Sequence, residues 1–372
     1  MNGTVDFSFL QDIVDRTGIY VVQGSCLLIC NSLIVLTILY QRLLRDRKEL
    51  VLPAALAFCD ALDGCGALWA GLGRRQLILS NQGHQLVSRW RCLLKPWSLL
   101  WLLAGHFNDS TMLAISVDRL LAVGWPLFYW GLSHSYIKLV LSIAWAPNLF
   151  RMLVNVYATS THTQPEVMSI CFADYSYDPQ LHRIGWYVRI CLSSASVLLY
   201  VPVLVMYLRK KAPTADNTQI HQHTVSQRKF TITLGISCMF TTAFYVVPQL
   251  VHATISYFAV TDSALAGRII VMAYLSENIN KLLNIFVYSL RHRNLRLGML
   301  CMFRGKQLTM QMVNTAVHNL HNPAASNVGA RVMHTRHAVR TGNTPPGLRR
   351  ALPNIPRIEN PKAGTSCMSA DT

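Results

Sequence analysis

Seven mostly apolar runs divide this chain, at about Gly18 to Tyr40, Leu50 to Leu72, Leu93 to Val123, Ile137 to Ala158, Ile184 to Leu208, Phe230 to Phe258 and Ile269 to Leu290. About 20 consecutive apolar residues span a bilayer as a helix, and only helices or closed barrels satisfy their backbone polar groups in lipid. Seven such runs therefore predict an all-α membrane protein, a bundle of seven transmembrane helices. Composition agrees: 52% of the residues are hydrophobic and 14% charged, against about 25% charged in soluble domains. The expected organisation is a short extracellular head at 1–17, the bundle at 18–290, an amphipathic interfacial helix at 291–303 and a disordered basic cytoplasmic tail at 304–372. The first run has no basic cluster ahead of it and no small-residue cleavage site, so it reads as an uncleaved anchor.

Lysine and arginine are enriched in cytoplasmic loops. The loops that would lie inside carry sixteen of them, against seven in those that would lie outside, which predicts a plasma-membrane protein with its N-terminus outside and its C-terminus in the cytoplasm. The net charge of +17 flanks the spans or sits in the tail, where anionic membrane lipid is the nearer partner and nucleic acid is not expected. From Arg304 onward apolar periodicity gives way to Pro, Asn, His, Thr and Arg, the composition of a disordered segment.

Of the ten cysteines, Cys26, Cys30, Cys59, Cys65, Cys191 and Cys238 lie inside apolar runs, where the thiol acts as a small packing group. Cys92, at the outer end of the third run, and Cys171, in the outer loop after the fourth, both face the oxidising side, where a disulfide persists. A bond between them would tether that loop over the bundle.

Polar residues inside the runs are costly in lipid and mark functional sites or interhelical contacts. They are Asn31 in the first, Asp60 and Asp63 in the second, His106, Asn108 and Asp109 in the third, and Glu277, Asn278, Asn280, Lys281 and Asn284 in the seventh. Spacings of four, three and four put Glu277, Lys281, Asn284 and Tyr288 on one helical stripe. Asp118-Arg119 stands at the inner end of the third run, as an acid-base pair at a membrane edge. After the seventh, Leu290, Leu295, Leu297, Leu300 and Phe303 interleave with arginines, the pattern of a helix lying in the interface. Cys301 on it is a palmitoylation candidate.

These residues resemble the rhodopsin-like family of seven-helix G-protein-coupled receptors. The resemblance rests on Asn31, "LAFCD" ending in Asp60, "DRLLAVGWPLFY" from Asp118 to Tyr129, Trp145, Pro202, Pro248 and "NIFVY" ending in Tyr288, and covers about residues 18 to 303. "ALAFCDALDG" and "STMLAISVDRLLAV" look most like invertebrate orphan or nematode serpentine-type chemoreceptors. The chain departs from the family where Ile285 replaces a proline, Leu120 an aromatic residue and Cys30 a glycine, and where Val246 holds a position that is commonly aromatic. No acidic residue precedes the sixth run, so Asp118 is the expected partner of Arg119.

The resemblance implies that an extracellular ligand shifts the helices and exposes the surroundings of Arg119 to a heterotrimeric G protein, with Asp118, Arg119, Asn284 and Tyr288 as the activation switch, and arrestin as a further partner. No cofactor or metal is expected, and no catalysis. Trp101 stands where amine receptors of the family carry an Asp, so a monoamine is disfavoured; Lys281 lies three residues past the opsin position, held here by Asn278. Arg74, Arg75, Arg89, Arg91 and Lys95 make the first outer loop and its exit basic, suited to an acidic or peptidic ligand or merely to water. In related receptors a sodium ion sits against the second-helix Asp, and Lys281 is expected to replace it by reaching Asp60, or else to pair locally with Glu277.

A transporter or ion channel is the alternative, since intramembrane charges also line ion pathways. It calls for internal repeats and broken helices in both halves, and the sequence has neither. His318/His321 and His334/His337 lie in the polar tail, with no carboxylate between them. Asn2-Gly3-Thr4 is a glycosylation sequon on the outer side; Asn108-Asp109-Ser110 is buried in a span and is not one in practice.

Overall fold

The computed structural model describes residues 7–172, 176–209, 235–257, 272–285, 293–309 and 312–313. Among them run α1 (Phe7–Tyr40), α2 (Lys48–Leu79), α3 (Pro96–Gly124), α4 (His134–Ser160) and α5 (Pro179–Arg209). They are followed by α6 (235–257), α7 (272–285) and α8 (Arg293–Phe303). Four segments, Thr17–Tyr40, Lys48–Leu79, Ser135–Ser160 and Pro179–Met206, are long and apolar enough to cross a membrane by themselves. The 29-residue α3 is long enough too, but it carries His106, Asp109, Asp118 and Arg119, and packs inside the bundle.

The arrangement is inverted relative to a soluble domain. Ile29, Leu36, Leu139, Ile143, Phe150 and Leu198 are exposed, whereas Asp60, Asp63, Asn108, Asp109, Glu277 and Lys281 are buried. Lipid is the solvent such a surface suits. Without a hydrophobic drive between helices, close packing has to come from small residues. A Cβ on Gly64 of α2 would stand 2.7 Å from the Leu28 backbone nitrogen of α1, and one on Gly71, two turns on, 2.9 Å from the Thr17 carbonyl. Glycine there lets the two backbones touch.

Leu52, Leu56, Ala114, Ile115, Ile137, Tyr200 and Val203 form a core from α2, α3, α4 and α5. Trp145 Nε1 donates to Thr111 Oγ1 at 2.9 Å and its ring lies 5.0 Å from that of Phe107, which fixes α4 on α3. The chain turns back through one-turn helices at Arg42–Arg45 and Pro126–Gly131.

Several boundaries differ from those expected. The helix of α1 begins at Phe7, inside the segment read as a head, and α2 continues seven residues past Leu72. Arg74 and Arg75 are therefore helical rather than part of an outer loop. Hydropathy marks where lipid begins, not where backbone hydrogen bonding stops, so charged helix ends escape it. α8 lies where the amphipathic pattern puts it. Gln41, fully buried at the end of α1, donates to the carbonyls of Gly298 and Lys306 at 3.1 Å each and accepts from Leu308 N at 2.7 Å, latching α8 onto α1. Cys301 lies on that helix. Asn2, Tyr288 and the tail beyond Val313 lie outside the described residues.

Candidate functional site

The end of the bundle at which α3 and α5 begin carries a lid. Strands β1 (Leu86–Ser88) and β2 (Pro165–Met168), from two different loops at that end, pair antiparallel, with Val87 opposite Val167. Cys92 and Cys171 are disulfide-bonded, tying the second loop to the segment that enters α3. Cys171 has φ of 50°, a backbone conformation that costs a non-glycine residue energy and needs support. Support comes from Arg74, whose Nε donates to the Ile170 carbonyl and Nη2 to the Cys171 carbonyl, both at 3.0 Å, and from Trp97 Nε1 at 3.3 Å. The guanidinium of Arg74 lies over the rings of Tyr20, Trp101 and Phe172. Arg74 is thus a buried clamp under the lid, and Arg89 pairs with Glu166. Of the basic residues expected in the first outer loop, Arg74 is thus taken up beneath the lid and Arg89 by Glu166, while Arg91 stays exposed.

Asp178 closes the lid onto α5. Its Oδ1 accepts from the backbone nitrogens of Gln180 and Leu181, capping the helix, and its Oδ2 meets His162 at 3.1 Å. Burial acts to raise this carboxyl, but the two backbone N–H groups and His162 outweigh it and hold it below the ordinary carboxylate range.

At mid-depth an alternating chain of charges crosses the bundle. Lys281 Nζ donates to Asp63 Oδ2 at 2.7 Å and to Glu277 Oε1 at 2.8 Å. Glu277 Oε1 also accepts from Arg189 Nη2 at 3.3 Å, and Arg189 Nε reaches Asp109 Oδ2 at 3.0 Å. The order Asp63, Lys281, Glu277, Arg189, Asp109 links α2, α7, α5 and α3. From α6, Tyr245 donates to Asp109 Oδ1 at 3.0 Å and Gln249 to Glu277 Oε2 at 3.4 Å, so the sixth helix is bound to the same chain. Ser193 adds a third hydrogen bond to Asp109 at 2.7 Å. Each carboxylate has a cation beside it, which is the condition for burying charge at this depth.

A local feature of α6 makes the Tyr245 contact possible. In α6 a π-helical turn at Thr242–Val246 precedes Pro248. Its extra residue turns the helix locally and brings Tyr245 inward to Asp109, so the aromatic group absent at Val246 is supplied by its neighbour.

Of the two partners expected for Lys281, the structure pairs it with Glu277 and not with Asp60. Asp60 Oδ1 instead accepts from Asn108 Nδ2 at 2.6 Å, while Lys281 takes its i−4 neighbour Glu277 together with Asp63, one helical turn above Asp60. The cavity lined by Asp60, Asn108, Asn280, Lys281 and Asn284 has about 10 Å³ of free space, room for a single water at most. Asn284 and Asn280 turn towards α6, accepting from Ser237 and Thr241. Asn31 is buried but donates to Leu27 in its own helix, apart from the chain of charges.

Near the C-terminal end of α3, Arg119 and Asp118 are each 1% exposed. Arg119 Nε donates to Asp118 Oδ2 at 3.0 Å, and its Nη2 contacts both that oxygen and, at 3.1 Å, the hydroxyl of Tyr129. Lys48 of α2 holds the segment after α3 by donating to the carbonyls of Tyr129 and Leu132 at 2.6 and 2.9 Å. Arg119 is therefore folded back against its neighbour and covered.

Sequence reasoning passed over Arg151, Arg189 and the role of Asp63. The signal was present, because an arginine inside an apolar run is as costly as an aspartate; both arginines stand well inside the fourth and fifth runs.

A bundle with apolar outward faces, a disulfide-tethered lid at one end, a buried charge chain at mid-depth and a covered Asp-Arg pair towards the other end is the architecture of a seven-helix membrane receptor. The chain belongs to the serpentine type 7TM GPCR chemoreceptor Srsx family, whose model matches residues 26–303. A search among curated protein sequences returned no match. Its membership makes it a multi-pass membrane receptor and not an enzyme.

Proposed function

We propose that this receptor converts the binding of an extracellular ligand into activation of a heterotrimeric G protein, at the plasma membrane with its N-terminus outside. The observation that carries the reading is the chain from Asp63 to Asp109, which ties α3, α5, α6 and α7 together between the outer lid and Arg119. A ligand that binds one arrangement of those helices better than the other shifts their populations. Release of Arg119 from Asp118 and Tyr129 then offers the G protein a surface that is now covered, with Asn284 on α7 and Tyr288 beyond it completing the switch. The tail and inner loops would meet arrestin and anionic lipid, with Cys301 as a lipid attachment point.

G-protein dissociation, followed across the G-protein classes in cells, tests this. Arg119→Ala is expected to lose signalling while reaching the surface at the unmutated level. Undiminished signalling by that variant would contradict the role given to Arg119.

A further inference from the structure

Three nitrogen-bearing side chains from three helices reach one level of the bundle. Arg151 lies nine residues before the outer end of α4 at Ser160, His106 ten residues into α3 from Pro96, and Arg189 ten residues into α5 from Pro179. At about 1.5 Å per residue, each stands about 14 to 15 Å below the outer end of its helix. They act on one another electrostatically: Arg151 and Arg189 on His106, and Arg189 on Arg151.

Within this group donors are left over. Nε and Nη2 of Arg151 and Nε2 of His106 are enclosed by protein and have no hydrogen-bond partner. Asp109, the carboxylate that acts on Arg151, is already engaged on both oxygens by Ser193, Tyr245 and Arg189. Glu277 is held by Lys281, Arg189 and Gln249. Among the described residues no carboxylate pairs with Arg151. A buried arginine normally finds one.

The two idle atoms of Arg151 are the adjacent pair on one edge of the guanidinium, the edge a carboxylate grips side-on with both oxygens. Arg189 keeps part of its surface accessible. Its side chain is 28% exposed, whereas Asp109 and Glu277, which it holds, are 3% and 9% exposed. A lipid headgroup is the less suitable partner, because Arg151 lies deeper than its own side chain can reach back to the interface.

We propose that Arg151, His106 and the accessible part of Arg189 form the seat for the carboxylate of a small organic acid entering from the outer side. The proposal rests on the receptor reading above and names its ligand class. Arg151 binds the two oxygens side-on and His106 Nε2 supplies a further polar contact. The negative charge beside Arg189 competes with Glu277 for the guanidinium, at the longest ion pair of the charge chain, and so loosens α5 from α7.

The test is thermal unfolding of the full-length receptor in nanodiscs of neutral lipid, with sodium acetate, benzoate or octanoate against sodium chloride at equal ionic strength. At least one carboxylate is expected to raise the unfolding temperature of the unmutated protein in a saturable way, and Arg151→Gln should abolish that rise. Arg151→Lys keeps the charge but loses the planar fork, so it should need a tenfold or higher carboxylate concentration. It also provides the comparison if Arg151→Gln does not fold. Absence of a rise with every carboxylate, or an equal rise in the Arg151 variants, would overturn the proposal. So would stabilisation that appears only when phosphatidylglycerol is added to the nanodisc, or with inorganic phosphate in place of carboxylate. No G protein takes part, so a failure here leaves the coupling reading standing, and a failure of coupling leaves this one standing.

Discussion

Lys281 shows how little freedom a buried charge has. Its ammonium faces Asp63 and Glu277, both nearly inaccessible, and removing one member of a buried pair typically costs about 3 to 5 kcal/mol because the remaining charge is stranded. Lys281→Ser is therefore expected to lower the unfolding temperature sharply, and a second change, Asp63→Asn, should recover part of the loss. Full stability in the single variant would show that Asp63 and Glu277 do not depend on the lysine. Residue type alone predicted that Lys281 needed a carboxylate and that Glu277 was within reach. The choice of Asp63 over Asp60 depends on the rotation of α2 against α7, and no periodicity in either segment encodes it.

At the scale of elements, the glycines of α2 carry a specific consequence. Gly64→Val would drive a branched side chain into the Leu28 backbone, where neither helix has a flexible atom to yield, and overpacking of this kind costs about 1 to 3 kcal/mol or more. The variant is expected to reach the cell surface poorly, and normal surface density would argue that α1 can move away from α2 without penalty. The helices themselves were legible from hydropathy, and α8 from its alternation of leucine and arginine. The β1–β2 pairing was not, because strands of three and four residues leave no periodic trace. Nor was the π-helical turn, whose effect on Tyr245 arises from backbone geometry, although Pro248 and the neighbouring Val246 marked the region as unusual. Arg74 was misread for a related reason: its place on an extended helix turned a loop charge into a clamp for Cys171.

Across the whole molecule, polar layers are stacked from one face to the other: the lid held by Arg74 and the disulfide, the charge chain from Asp63 to Asp109, and the Asp118-Arg119-Tyr129 cluster. The two end layers were largely readable, since Cys92, Asp118 and Arg119 stand at run ends and Cys171 and Tyr129 in recognisable contexts in the loops beyond. The middle layer was read only from α2, α3 and α7, because its central cation, Arg189, lies in a run that otherwise looks like a plain lipid-facing span. The account's central claim is that the structure holds Arg119 covered, and that signalling begins when this contact is released. Tyr129→Phe removes the hydroxyl that accepts from Arg119 Nη2 at 3.1 Å and donates to Asp118 Oδ2 at 3.4 Å, and keeps the ring. The most direct measurement is basal G-protein dissociation in cells, compared between Tyr129→Phe and the unmutated receptor at matched surface density. A severalfold rise in the variant is the predicted result; a basal level equal to or below that of the unmutated receptor would contradict the account.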